Sequence, residues 1–187
     1  MCRFFDLMDD RRHPGRWHLG SPVDEQGRPI DPWQFKSGEL LELGCLPRFP
    51  LKIPGRPLDF SWAGFTIPLV HDRFVRLVER VAGVEVQFIP AQVEGNPGSW
   101  FILNALRIIR CIDDARCEEV QYWTPQDGRP EKVGEYRDVA GMRIDPEKVG
   151  DARIFRPWGW TVALIISEDL KQAMEAEGLT GTRFVEV

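Results

Sequence analysis

A chain of 187 residues with 43% hydrophobic and 28% charged side chains is long enough for one domain with a sizeable core, and its composition is that of an ordinary soluble globular protein. No apolar run approaches the length that spans a bilayer, and Asp6, Asp9 and Asp10 stand where a signal peptide would carry its apolar segment, so a cytoplasmic protein is expected. The net charge of −5 comes from residues 61–187, because residues 1–60 hold nine basic and nine acidic side chains. This argues against a nucleic-acid footprint and suits either a partner with a basic surface or solubility alone.

Nine of the fifteen prolines precede residue 69, and residues 1–64 read as a loop-rich N-terminal layer anchored by Trp17, Trp33, Phe35 and Trp62. Strands are expected at Cys2–Met8 and Arg16–Leu19, with turns at His13-Pro14-Gly15, Gln26-Gly27-Arg28-Pro29 and Asp31-Pro32-Trp33. Gly38–Gly44 suits either a helical turn or a strand. The core, residues 65–187, opens with a strand at 65–70. A helix at 72–82 follows, with Phe74, Leu77, Val78 and Val81 at helical spacing, and then a strand at 84–90. Ser99–Ile109 is the longest strand candidate and is apolar on both faces, as in the centre of a sheet. Glu119–Thr124 alternates like a half-solvated strand, and Asp127-Gly128 marks a hairpin tip within Pro125–Asp138. After Ile154–Phe155 comes a turn at 156–159 and an apolar strand, Thr161–Ile166. A helix then starts at Ser167, with Glu168 and Asp169 at the positive end of its dipole; Gly178 stops it, and Arg183–Val187 closes the chain as a strand.

Two of these stretches, 96 positions apart, align without a gap. Leu69–Phe74 running to Gly83–Phe88 parallels Ile165–Leu170 running to Leu179–Phe184. Each is a strand, an amphipathic helix and a strand, and each can bury its apolar face only against neighbouring structure. A duplication or two coincidentally similar motifs accounts for the pattern. The expected fold is therefore α+β: a mixed, mostly antiparallel sheet with two strand-helix-strand units and the loop-rich layer, all in a single domain, 1–187.

Chemistry-bearing patterns are sparse. Cys2, Cys45, Cys111 and Cys117 form neither a disulfide framework nor a Cys-x-x-Cys pair, so buried free thiols in a reducing cytoplasm are expected. His13 and His18 flank a turn, and His71 occupies the helix-start position that Ser167 holds in the second unit. No serine lies in a Gly-x-Ser-x-Gly elbow, and no glycine-rich phosphate loop occurs. Asp113-Asp114 followed by Glu118-Glu119 is the densest acidic cluster; adjacent carboxylates in a strand point to opposite faces, which favours a solvated turn or a docking surface over a metal site. Seven tryptophans suit packing in irregular layers and anchors at interfaces, with Trp123 placed beside the acidic cluster.

Asn104-Ala105-Leu106, Cys111-Ile112-Asp113, Ile154-Phe155-Arg156, Ser167-Glu168-Asp169-Leu170-Lys171 and Gly178-Leu179-Thr180-Gly181-Thr182-Arg183-Phe184 together resemble an immunity-protein family of bacterial polymorphic toxin systems, frequent in myxobacteria, over residues 65–187. The resemblance implies a protein that neutralises a cognate toxin by stoichiometric binding, with no catalytic residue, cofactor or metal. The expected contacts are Asp113, Asp114, Glu118, Glu119 and Trp123, against a toxin with a basic surface, with no nucleic acid and no membrane insertion. The competing readings are a small enzyme using His71 or the Asp113/Asp114 pair, and a regulatory or scaffold module with another partner.

Overall fold

The computed structural model describes residues 3–187, so Cys2, the first residue of the expected opening strand, lies outside the described residues. The chain runs through β1 (Phe4–Asp9), β2 (His18–Leu19), β3 (Arg48–Phe49), β4 (Leu51–Ile53), β5 (Phe60–Ala63), β6 (Ile67–His71), α1 (Asp72–Ala82), β7 (Val86–Val93), β8 (Asn96–Ala105) and β9 (Ile108–Ile109). It continues through β10 (Glu119–Tyr122), β11 (Tyr136–Ala140), the one-turn α2 (Pro146–Val149), β12 (Ile154–Pro157), β13 (Ile165–Ser167), α3 (Glu168–Ala176) and β14 (Thr182–Glu186). The fold is α+β. Its mixed, mostly antiparallel pairing is distributed over two five-stranded sheets, β14-β1-β13-β12-β9 and β3-β7-β8-β6-β5, with β10-β11 and β2-β4 as separate pairs. The β9–β12 and β3–β7 pairings are parallel.

Both strand-helix-strand units form, as β6-α1-β7 and β13-α3-β14. In each, the helix connects two strands that flank a third, antiparallel to both: β8 in the first unit and β1 in the second. Antiparallel β5 and β12 then extend the same side. The orders β7-β8-β6-β5 and β14-β1-β13-β12 thus coincide, with the central strand of the second unit drawn from the N-terminus. Phe74, Leu77 and Val78 of α1 meet Leu170 and Met174 of α3 in one core, which also takes Phe5, Leu7, Phe60, Val70, Leu103, Ile154 and Ile166 from the two sheets. His71 caps α1, its Nδ1 accepting from the Arg73 N–H at 3.4 Å, and it packs on Trp100. Ser167 holds the matching position on α3, but its Oγ donates to the Asp169 carboxylate instead of accepting from the helix backbone.

Several elements depart from expectation. The long strand ends at Ala105; Leu106 and Arg107 step out, and Ile108–Ile109 pairs with β12 in the other sheet. Apolar residues on both faces report burial, and burial continues when a strand changes sheets. Of Thr161–Ile166 only the end is β13, because the Thr161 and Ala163 carbonyls accept from Arg156 Nη1 at 2.7 and 3.2 Å instead of joining a ladder. Gly38–Gly44 is irregular, with Leu41 held at both its N–H and its carbonyl by the Gln87 side-chain amide. Trp17 and Phe35 are buried anchors of the N-terminal layer as expected, and Trp17 Nε1 donates to Ser61 Oγ at 2.8 Å. Trp33 is 51% exposed and anchors nothing in the core.

The turn between α3 and β14 fastens the two units together. Thr180 N–H and Oγ–H both donate to Asp59 Oδ2 at 2.9 Å, Arg73 donates to the same oxygen at 3.0 Å, and Phe60 N–H donates to the Thr180 carbonyl at 3.0 Å. Gly181 makes this approach possible: at φ +87° an added Cβ would lie 2.1 Å from the Phe60 carbonyl oxygen. Gly178, also at positive φ (+62°), faces open space. Gly181→Ala should therefore cost about 3 kcal/mol or more in urea unfolding, against about 1 kcal/mol for Gly178→Ala. Equal costs would show that the contact at Gly181 does not matter.

Candidate functional site

Among the described residues the β10-β11 hairpin pairs with no other strand, so its outer edges lack a ladder partner, while Val139 packs one face against the core. Its tip is built locally. Thr124 N–H and Oγ–H donate to Asp127 Oδ2 at 2.8 and 2.7 Å, Gly128 takes a left-handed conformation at φ 68°, and Arg137 donates to Asp127 Oδ1 at 2.7 Å. Those hydrogen bonds from Thr124, with the Arg137 charge, hold the Asp127 carboxyl below its ordinary range.

The turn before β10 gathers four of the five sequence-selected residues. Asp113 is half-buried beside Arg116 at 4.0 Å, and its carbonyl accepts the Arg116 and Cys117 N–H groups. Glu118 and Glu119 are exposed, and Glu119 accepts from Gln121. Asp114 accepts from both tyrosine hydroxyls of the hairpin, Tyr136 at 2.6 Å and Tyr122, whose rings lie 5.0 Å apart. Burial, then the Asp114 hydrogen bond, pushes the Tyr136 phenol up; for Tyr122 the Asp114 hydrogen bond leads. Trp123 is placed differently. It lines a cleft of about 600 Å³ that none of these four carboxylates borders.

That cleft lies where three segments meet: Trp33 and Lys36 of a short 3-10 turn in the N-terminal layer, the hairpin connection from Trp123 to Arg137, and Gly159–Val162 between β12 and β13. Its aromatic walls are Trp33, Trp123, Tyr136 and Trp160, and its cations are Lys36, Arg129, Lys132 and Arg137 against Glu131 and Glu135. Lys132 Nζ lies 5.1 Å from the Trp33 ring and 5.5 Å from the Trp123 ring, within cation–π range of both. Lys36, only 4% exposed, donates to the Phe65 carbonyl at 2.5 Å and to Thr66 Oγ1 at 2.8 Å. Those acceptors belong to two consecutive non-glycine residues at positive φ, 59° and 55°, a strained conformation that leaves Phe65 exposed against Trp33. Sequence reasoning noted the tryptophans singly and missed the cations, because Lys36 lies 93 positions before Arg129, the first of the other three, and the four carry no local motif.

The remaining reactive side chains have structural surroundings. His71 is the α1 cap, 3.9 Å from Asp59. Of the described cysteines only Cys111 is buried as expected, which pushes its thiol up to about 12 and makes it a poor nucleophile at neutral pH, whereas Cys45 and Cys117 lie in loops and are partly exposed. Among the described residues no three His, Cys, Asp or Glu side chains converge as a metal-holding group, and no helix is long and apolar enough to cross a membrane.

A family model described as an immunity protein family matches residues 12–187. The chain belongs to the immunity protein family Imm11. No curated protein matches its sequence. The Imm11 match extends through most of the N-terminal layer, well beyond the region 65–187 that carries the resemblance in sequence, so Trp33 and Lys36 fall inside the family region. The distinctive C-terminal motif has a packing role in this Imm11 chain: Gly178 ends α3, Leu179 enters the core, Thr180 binds Asp59 and Gly181 meets Phe60.

Burial, with the nearby Arg156 charge, pushes the Lys36 ammonium down to about 8, from about 10.4 in an unfolded chain. Between these values the unfolded state binds the extra proton, so Lys36 holds stability back below pH 8 and releases that penalty as pH rises toward 10.4. The stability of wild type relative to Lys36→Met should rise by up to about 3 kcal/mol between pH 7 and 10 in chemical denaturation. A constant difference would mean that the ammonium is not desolvated.

Proposed function

We propose that this chain neutralises a cognate toxin by tight stoichiometric binding in the cytoplasm of the cell that carries both, acting as a single domain and not as an enzyme. The observation that carries this reading is its membership of an immunity family across residues 12–187. The unpartnered hairpin supports a protein-binding role, because it presents charged and aromatic side chains that no other strand covers. His71, the best catalytic candidate in the sequence, is engaged as a helix cap, which weighs against the enzyme reading.

In this reading the hairpin meets the toxin. Asp113, Asp114, Glu118 and Glu119 supply negative potential that speeds encounter with a basic surface, and Trp123 supplies a large ring for desolvated contact. Co-expression with the adjacent reading frame is the test: the neighbour should kill alone, and this protein should restore growth and elute with it as one complex. Rescue without a complex, or a harmless neighbour, overturns the inhibitor mechanism. Within the complex, Glu118→Lys with Glu119→Lys should slow association several-fold at low salt, and Trp123→Ala should weaken binding about tenfold or more. Unchanged association and affinity would move the contact elsewhere.

A further inference from the structure

The cleft beside the hairpin has a charge opposite to that of the molecule. The whole chain carries −5, yet four cations and two carboxylates line this cavity. Two of those cations are already neutralised, Arg137 by Asp127 at 2.7 Å and Arg129 by Glu131 at 3.7 Å. Lys36 and Lys132 make no ion pair among the described residues; one is held by a carbonyl and a hydroxyl, the other rests on two indole rings.

A third cation stands directly behind. Arg156 is fully buried, and its Nη1 donates to the carbonyl of Thr161, a cleft residue, at 2.7 Å, while its Nε and Nη2 have no hydrogen-bond partner among the described residues. Asp6 is the carboxylate that acts on Arg156, and the Arg156 charge is felt at Lys36. Lys36 without a carboxylate, and Arg156 with two donor nitrogens left without partners despite Asp6, cost folding free energy unless a counter-charge is supplied. The strained Phe65–Thr66 backbone that holds Lys36 adds a second cost at the same place.

We propose that this cleft receives an acidic segment of the partner protein, a carboxylate-bearing side chain seated against Lys36 and Lys132 with an adjoining apolar side chain between Trp33, Trp123 and Trp160. The proposal rests on the toxin-binding reading for the identity of that partner, and it gives the hairpin two faces: an acidic turn for a basic patch and a basic aromatic cleft for an acidic protrusion. A polyanion such as a nucleic acid fits less well, because the surrounding body is negative and the acidic turn lies on the same hairpin. An interface of this kind recognises register as well as charge, since each sign on the partner must meet its opposite.

The first test uses the whole chain labelled with nitrogen-15 and a pentapeptide carrying two glutamates around a phenylalanine. Saturable shifts of the Trp33, Trp123 and Trp160 indole N–H resonances are expected, with binding weakened at least tenfold by Lys132→Glu, retained by Lys132→Arg, and absent for the same peptide with lysines in place of glutamates. Matched thermal unfolding of the variants separates a lost site from a lost fold. No shift, or shifts elsewhere, overturns the proposal. Inorganic phosphate or a mononucleotide binding as tightly as the peptide also overturns it, by making this a small-anion site. The second test measures binding of an inactivated product of the adjacent reading frame. If wild type binds and Lys132→Glu binds equally well, the cleft assignment fails and the immunity reading stands. If the peptide binds at the three indoles and the neighbour does not bind at all, the immunity reading fails and the cleft keeps its specificity for acidic segments.

Discussion

One carboxylate joins the two halves of this fold. Asp59 precedes β5 of the first unit, yet its Oδ2 takes two hydrogen bonds from Thr180 in the last turn of the second, and a third from Arg73 at the start of α1. Neither sheet can cover both of its faces alone, and α1 and α3 are amphipathic helices whose apolar stripes need each other. Hydrophobic burial supplies most of the stabilisation, but it is non-directional. The Asp59–Thr180 hydrogen bonds, with the backbone contact at Gly181, set the register in which the two apolar faces meet. A buried carboxylate left with fewer donors would be costly, which ties this part of the core to one arrangement.

A buried ion pair ties down the N-terminal layer. Arg16 meets Asp9 at 2.6 Å with both side chains almost fully enclosed, and the same guanidinium donates to the Asp10 and Trp17 carbonyls. The layer is therefore tied to the end of β1, a strand at the heart of the other unit. The short turn carrying Trp33 and Lys36 is held by Lys36 donating to Phe65 and Thr66, and it faces the hairpin connection across the cleft. The cleft is a product of this packing, assembled from three segments that are far apart in sequence, and its unpaired cations and positive-φ residues are what a structure optimised for stability alone would remove.

The correspondence between the units also has a physical reading. Matching strand orders, with β8 central in one unit and β1 in the other, describe the same four-stranded arrangement reached by two chain paths. The sequence alignment at an offset of 96 positions captures the strand-helix-strand part, where the chain path is the same. It misses the central strands, because one follows its unit and the other opens the chain. Each central strand pairs on both sides, so each unit closes around a strand supplied from a different point along the chain.

What the sequence determined by itself was local: α1 from its helical spacing, the α3 start at Ser167 and stop at Gly178, the central position of β8, and the hairpin with its Asp127-Gly128 tip. These follow from side-chain period, the acidic first turn at the positive end of the α3 dipole and glycine's freedom at positive φ, all of which act over a few residues. Acidic residues at 113, 114, 118 and 119 were legible as a cluster because they are adjacent. Tertiary structure decided where Ile108–Ile109 would pair, why Thr161 and Ala163 leave the ladder for Arg156, and that Trp123 would face Lys132 and Arg137 with Trp33 across a cleft. Those outcomes depend on which buried groups find partners and which do not, and that is settled only when distant segments are packed together.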